Sequence, residues 1–299
     1  MGMLDKLRNA LDPSNHIPLW RGPPAPGRFG RFVLPDRLIE LVEKANLQDL
    51  GHGVDAFGMS RDGVVGGLLT TWLFYDHWFR VTSHNAHHVP DQGGAVLACN
   101  HSGTLPLDAM MVWADVVRHS PTHRVPRVIM DHFVPELPGV STLFIRAGGI
   151  GGSRGNFHAV LDSGQLLLVF PEGVPGIGKP FSERYKLQRW REGHAELAIR
   201  HGVPVVPIAV IGAEEQMPQI ARIQGVNVFG IPYLPIPATL FPLPVHYHVW
   251  YGEPIPLHER YTPDQAKDPA AVAAAALEVQ AAVQALIDHG LTQREGIFR

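Results

Sequence analysis

Hydrophobic and polar positions change period along this chain, and the changes mark its architecture. Over residues 34–45 apolar positions recur at helical spacing. Residues 62–80 present Leu68, Leu69, Trp72, Leu73, Tyr75, Trp78 and Phe79, with no charge between Asp62 and Asp76. That pattern predicts a helix packed against a core; its aromatics also suit a membrane surface. From residue 95 the period alternates. Short apolar runs at 95–99, 127–130, 165–170, 205–211 and 245–250 predict strands, while 147–152, with four glycines, reads as loop. Segments 107–117, 190–200 and 263–289 predict helices, Gly202 stopping the second. Strands alternating with helices define an α/β fold with a mostly parallel central sheet flanked by helices. The division expected is an N-terminal helical extension, residues 1–80, with a candidate membrane-surface helix, and an α/β domain with its C-terminal helix, residues 81–299.

Two segments break the alternation. Residues 1–33 hold a short helix candidate, then a lead-in at 18–31 rich in Pro, Gly and Arg. Residues 223–252 run for thirty positions without Asp, Glu, Lys or Arg, and carry Pro232, Pro235, Pro237, Pro242 and Pro244. Those prolines exclude one continuous spanning helix. A buried loop or β-meander is the expected form, a surface touching lipid or an acyl chain the alternative.

Composition narrows the class. Charged residues make up 18% of the 299 positions, against roughly 25% in typical soluble domains. Yet no stretch reaches the ~18–20 uninterrupted apolar residues of a membrane span. A net charge of −3 without a basic block argues against general nucleic-acid binding. The single cysteine excludes a disulfide framework and suits a reducing compartment. Asp5, Lys6 and Arg8 interrupt any signal-peptide core, and Lys6 stands where myristoylation requires Ser or Thr. The expectation is a cytoplasmic protein, peripheral at the membrane face.

Candidate chemistry sits where strands end. In Asn100-His101-Ser102-Gly103-Thr104-Leu105-Pro106-Leu107-Asp108, a strand ends at Cys99 and Thr104 is suited to cap a helix with Pro106 early in it. Asp108 in the first helical turn can reach back to one imidazole nitrogen of His101, leaving the other to take a proton from a hydroxyl. In Phe170-Pro171-Glu172-Gly173 a carboxylate stands in a tight turn at a strand end, placed to accept substrate hydrogen bonds. Turn hydrogen bonding and solvation are the plain alternatives for both. Three other patterns carry less. Gly151-Gly152-Ser153-Arg154-Gly155 spells the nucleophile elbow of serine hydrolases but follows a presumed loop, not a strand. Gly173 to Lys179 begins like a P-loop, but Pro180 replaces the Mg²⁺-ligating hydroxyl. His84, His87, His88, His246 and His248 lack a recognisable carboxylate or Cys partner for a metal site, and none is expected.

Asn100-His101 with Asp108, then Phe170-Pro171-Glu172-Gly173, then Val203-Pro204-Val205-Val206-Pro207 resemble, in order, the successive motif blocks of the glycerolipid acyltransferases, the lysophospholipid (1-acylglycerol-3-phosphate) acyltransferase superfamily. The resemblance covers roughly residues 70–255, including Phe79-Arg80-Val81, Val89-Pro90 and Tyr251-Gly252-Glu253-Pro254-Ile255. It implies that His101 is the general base on an acceptor hydroxyl, oriented by Asp108, and that the hydroxyl attacks an acyl thioester of coenzyme A or acyl carrier protein. It implies further that Phe170, Pro171, Glu172 and Gly173 help bind the acceptor and that Pro204 to Pro207 support the site. Transfer would be direct, with the thioester as co-substrate and neither cofactor nor metal. The partners implied are a lipid acceptor, the thioester donor and a membrane surface.

The chain departs from the family pattern twice. Six residues separate His101 from Asp108 where four are usual, so the intervening loop must absorb the difference. After Glu172-Gly173 the family continues Thr-Arg, whereas here Val174 and Pro175 follow. Arg146 resembles the basic residue of the second block, and Lys179 or Arg154 are the cations available to compensate. Loss of a phosphate clamp favours a neutral glyceride or other lipid alcohol as acceptor. The competing readings are a serine lipid esterase using Ser153 and a non-catalytic lipid-binding protein.

Overall fold

The strands predicted at 95–99, 127–130 and 205–211 form over those residues in the computed structural model, which describes residues 35–45, 47–102, 105–130, 139–228 and 231–299. The lead-in at 1–33 and the expected cap Thr104 lie outside the described residues. Seven strands make one sheet: β1 (Thr82–His84), β2 (Ala95–Cys99), β3 (Arg127–Met130), β4 (Gly149–Gly151), β5 (Leu166–Val169), β6 (Val205–Ile211) and β9 (His248–Tyr251). Between β6 and β9 the chain makes a separate antiparallel pair, β7 (Gln219–Val228) with β8 (Ile231–Pro237). The sheet order is β1-β9-β6-β2-β5-β3-β4, every neighbouring pair parallel except β6 with β9. The C-terminal ends of β2, β5 and β6 therefore emerge along one edge, where sheets of this kind place ligands.

Side-chain alternation along the buried strands divides the core into two layers. Ala95, Leu97 and Cys99 face a layer closed by α1 (Asp36–Lys44), α2 (Arg61–Trp72) and α3 (Leu107–His119). Val96 and Ala98 face the other, closed by α5 (Arg154–Asp162), α7 (Gly193–His201) and α9 (Pro269–Gln293). The remaining helices among the described residues, α4 (Val140–Arg146), α6 (Val174–Ile177) and α8 (Leu257–Arg260), are short. Ser60 caps α2, its hydroxyl accepting the Gly63 N–H at 3.0 Å. The helix expected to continue to residue 80 changes to π winding over Leu73–Trp78. This segment is anchored by the Asp115 carboxylate, fully buried on α3, which accepts the Tyr75 hydroxyl, the Ser83 hydroxyl at 2.8 Å and the Tyr251 hydroxyl at 2.7 Å.

Two other expectations change. The glycine-rich 147–152 run is not all loop: Gly149–Gly151 pairs with β3 as an edge strand, since backbone pairing needs no side chain. The uncharged stretch from 223 becomes the β7–β8 pair and an outward loop in which Leu240 and Phe241 are 98% and 60% exposed. By length and composition α9 is apolar enough to cross a membrane. Here it lays Val272, Val279, Val283 and Ile287 into the second core layer.

One side chain extends the β2–β6 ladder past its last backbone rung. Fully buried Asn100 donates through Nδ2 to the Val210 carbonyl at 3.0 Å and accepts the Val210 N–H at 2.7 Å. Asn100→Ala leaves both Val210 groups buried without partners. It should lower unfolding free energy by about 2–4 kcal/mol in denaturant titration; an unchanged midpoint would mean that the clamp carries no load.

Candidate active site

The Asn100 clamp delivers the next residue, His101, to the sheet edge. Helix α3 starts six residues later, after Pro106, so Asp108 stands in its first turn and points back across the loop. Asp108 Oδ2 lies 2.6 Å from His101 Nδ1 and accepts the Ser102 N–H at 2.9 Å, while Oδ1 accepts the Ala109 N–H at 2.8 Å. The longer His–Asp spacing is thus absorbed before the helix, and the two side chains meet. Asp108 is fully buried, and three donors offset the desolvation of its charge. A carboxylate only accepts, so the proton sits on Nδ1 and Nε2 is the nitrogen able to receive one.

Beneath His101 lies a buried charge network. Glu172, 1% exposed at the end of β5, accepts the His101 backbone N–H through Oε1 at 3.1 Å. Its Oε2 accepts the Gln188 N–H at 2.9 Å and stands 3.2 Å from Lys179 Nζ. Lys179 reaches on to Glu214 Oε1 at 2.9 Å, and Glu214 Oε2 accepts the Tyr185 N–H at 3.0 Å. One ammonium thereby joins the acids that follow β5 and β6. Burial opposes the charge of Lys179, but Glu214 and Glu172 hold its pKa above the ordinary lysine value. Burial pushes Glu214 up to about 7, against the pull of Lys179. Gly176 packs into this network so closely that a Cβ there would stand 2.8 Å from Glu172 Cβ and 3.1 Å from the His101 carbonyl oxygen.

His101 opens into a cleft of about 320 Å³ lined also by Phe170, Pro171, Gly173, Arg191 and His194. The Phe170 ring lies 4.6 Å from the imidazole. His194 is buried, which pushes its pKa down to about 4 and keeps it neutral at pH 7. Arg154 and Glu196 stand at the same cleft, the arginine donating to both carboxylate oxygens at 2.7 Å. A second cavity of about 260 Å³, its lining almost wholly carbon, lies between α2, α3 and α4 and includes Gly67, Ala109, Met110, Trp113, Leu143 and Phe144.

Of the residues singled out from sequence, the structure gathers His101, Asp108, Phe170, Pro171, Glu172 and Gly173. Lys179 is near but committed to two carboxylates and only 6% exposed, so it cannot face a ligand's phosphate; a P-loop role is excluded on the same ground. Arg146 ends α4, where its carbonyl accepts the Ser60 N–H at 3.0 Å, and is not in the lining of the His101 cleft. Pro204 and Pro207 belong to the sheet: the Pro204 carbonyl accepts from Val96 and that of Pro207 from Gly252. Ser153 does follow a strand, β4, but its hydroxyl caps α5 by accepting the Asn156 N–H at 3.2 Å. Among the described residues no hydrogen bond joins it to a histidine, and no group of three side chains is arranged to hold a metal. His84, His246 and His248 stack at the β1–β9 edge instead, with His84 Nε2 3.2 Å from His248 Nδ1. Sequence reasoning missed Glu214 and Arg191. Glu214 had a signal, an acid just past a buried strand; Arg191, twenty residues from Pro171, had none.

Fold and site together define an α/β domain whose polar machinery lies at the strand ends, built around a His–Asp pair. The sequence pattern of the family described as Acyltransferase matches residues 80–211. An uncharacterized protein of Mycobacterium tuberculosis is 34% identical over 260 residues, 83% of this chain and 72% of that protein. The human protein named DGAT1/2-independent enzyme synthesizing storage lipids is 29% identical over 234 residues, 76% of this chain and 67% of that protein. The crystal structure of the 1-acyl-sn-glycerophosphate acyltransferase PlsC from Thermotoga maritima shares the fold, with a TM-score of 0.53 at 18% identity, covering 90% of this chain and 88% of that one. The chain belongs to the acyltransferase family.

The network makes two predictions. Native Glu214 keeps its proton to about pH 7 whereas the unfolded chain releases it near 4.5, so this group lowers folding stability as pH rises across that interval. Glu214→Gln should flatten the fall in urea midpoint between pH 5 and pH 8; an identical fall in both proteins would remove Glu214 as its source. Gly176→Ala should displace the Glu172–His101 contact and reduce turnover at least tenfold with the fold retained by circular dichroism; wild-type turnover would show that the contact is slack.

Proposed function

We propose that this acyltransferase moves a fatty acyl group from a coenzyme A or acyl-carrier thioester to a hydroxyl of a glycerolipid or other lipid alcohol, with His101 as general base. The observation that carries the reading is the 2.6 Å contact between His101 Nδ1 and buried Asp108. It fixes the tautomer, holds the ring, and stabilises the imidazolium that forms when Nε2 takes a proton. The acceptor oxygen attacks the thioester carbonyl carbon as its proton passes to Nε2. The tetrahedral intermediate collapses with cleavage of the C–S bond, and the imidazolium returns the proton to sulfur, giving ester and thiol. Glu172 acts as a positioning residue by holding the His101 backbone.

The carbon-lined cavity beside Ala109 and Met110 suits the acyl chain, since the helix bearing Asp108 forms one of its walls. The substrates are lipids, so we place the reaction at a membrane surface.

Thiol release from an acyl-CoA or acyl-carrier donor, assayed across lipid acceptors, tests the reading. His101→Ala should lower kcat by about a hundredfold to ten-thousandfold, and Ser153→Ala should stay within about threefold of wild type. Loss of activity in Ser153→Ala with retention in His101→Ala would establish the esterase reading instead. Lipid binding without thiol release from any donor would leave a binding protein.

A further inference from the structure

Among the described residues two arginines line the cleft: Arg154, paired with Glu196, and Arg191, which the proposed chemistry leaves without a task. Arg191 lines the wall shared with His101. Its backbone N–H donates to the Pro171 carbonyl at 3.0 Å, and its own carbonyl faces His194 Nδ1 at 2.9 Å. Its guanidinium lies over Gly173, with Cζ, Nη2 and Nε 3.4, 3.5 and 3.6 Å from where a Cβ on that glycine would stand. Gly173 adopts a φ of +56°, which itself disfavours a side chain there. Arg191 and His101 are therefore fixed to one turn: Arg191 through Pro171, His101 through Glu172 Oε1.

Three other cations near the cleft are committed. Lys179 is shared by Glu172 and Glu214, and Arg154 and Arg200 converge on Glu196. Among the described residues no carboxylate or carbonyl pairs with the Arg191 guanidinium.

We infer that Arg191 recognises a phosphoryl group of a substrate bound beside His101. The reacting groups of an acyl transfer, a thioester and a hydroxyl, are neutral. The anion that such substrates carry is a phosphoryl group, on a lipid headgroup or on the phosphopantetheine-bearing donor. A planar guanidinium presents paired N–H donors that match phosphate oxygens. The cation missing after Gly173 in sequence is thus supplied from Arg191, across the same turn. This inference rests on the acyl-transfer reading.

Steady-state thiol release by wild type, Arg191→Gln and Arg191→Lys tests it with four substrate pairs. The donor is a long-chain acyl-CoA or the phosphate-free N-acetylcysteamine thioester of the same acid; the acceptor is lysophosphatidic acid or monoacylglycerol. Arg191→Gln should raise KM for one phosphate-bearing substrate about tenfold to a hundredfold, with the loss falling on KM rather than kcat and part of it restored in Arg191→Lys. A shift confined to lysophosphatidic acid assigns the phosphoryl group to the acceptor, and one confined to acyl-CoA assigns it to the donor. Unchanged KM for both, or equal shifts with the phosphate-free analogues, overturns the inference. If wild type releases thiol from none of the pairs, the acyl-transfer reading fails. Calorimetric binding of CoA and of lysophosphatidic acid then decides the inference alone: weaker binding by Arg191→Gln sustains it, equal binding overturns it.

Discussion

Glu172 is a carboxylate 1% exposed to solvent, and the geometry of the site depends on how its charge is satisfied. Removing such a group from water costs several kcal/mol unless donors surround it. Its donors here are the His101 N–H, the Gln188 N–H and Lys179. Because each must stay in place to keep the charge satisfied, the carboxylate holds the backbone under the imidazole from the core side. Asp108 then fixes the ring from the helix side. His101 sits between two buried anions, one setting where its backbone lies and the other which way its ring faces.

The network also explains how strand ends from distant parts of the chain become one site. β2 supplies His101, β5 supplies Glu172 and β6 leads to Glu214, and Lys179 joins the two acids. Parallel strands bring these ends to one edge, where side-chain and backbone donors take over from the ladder. Asn100 shows the handover most simply, completing the hydrogen bonds of Val210 where β2 has stopped. The energetic cost lies in Glu214, which burial raises to about 7 against the pull of Lys179, so its native carboxyl is partly protonated near neutral pH.

Much of the fold was legible because buried parallel strands appear as uninterrupted apolar runs; 95–99 and 205–211 are buried at every position. The His101–Asp108 pairing was legible because both residues lie in one strand–loop–helix segment. The part of Glu172 in the site was read from its strand end, but its partners were not. Lys179 offered itself as a phosphate ligand in sequence, since nothing local reveals that Glu214, thirty-five residues on, claims it. The β4 strand was hidden by its glycines, which carry no hydrophobic period. The π winding at Leu73–Trp78 coincides with tertiary anchoring of Tyr75 by Asp115, a contact that no helical period encodes. The low charge of the chain has two structural counterparts, the α2 layer over the sheet and the outward loop bearing Leu240 and Phe241.

The central claim is that buried Glu172 holds His101 where Asp108 can fix its ring. Proton NMR of the His101 Nδ1–H reads this most directly, because a short hydrogen bond to a carboxylate moves that resonance far downfield. The account predicts a downfield signal in wild type, its loss in Asp108→Ala, and its broadening or loss in Glu172→Gln although Asp108 is intact. A sharp, unshifted signal in folded Glu172→Gln would contradict it.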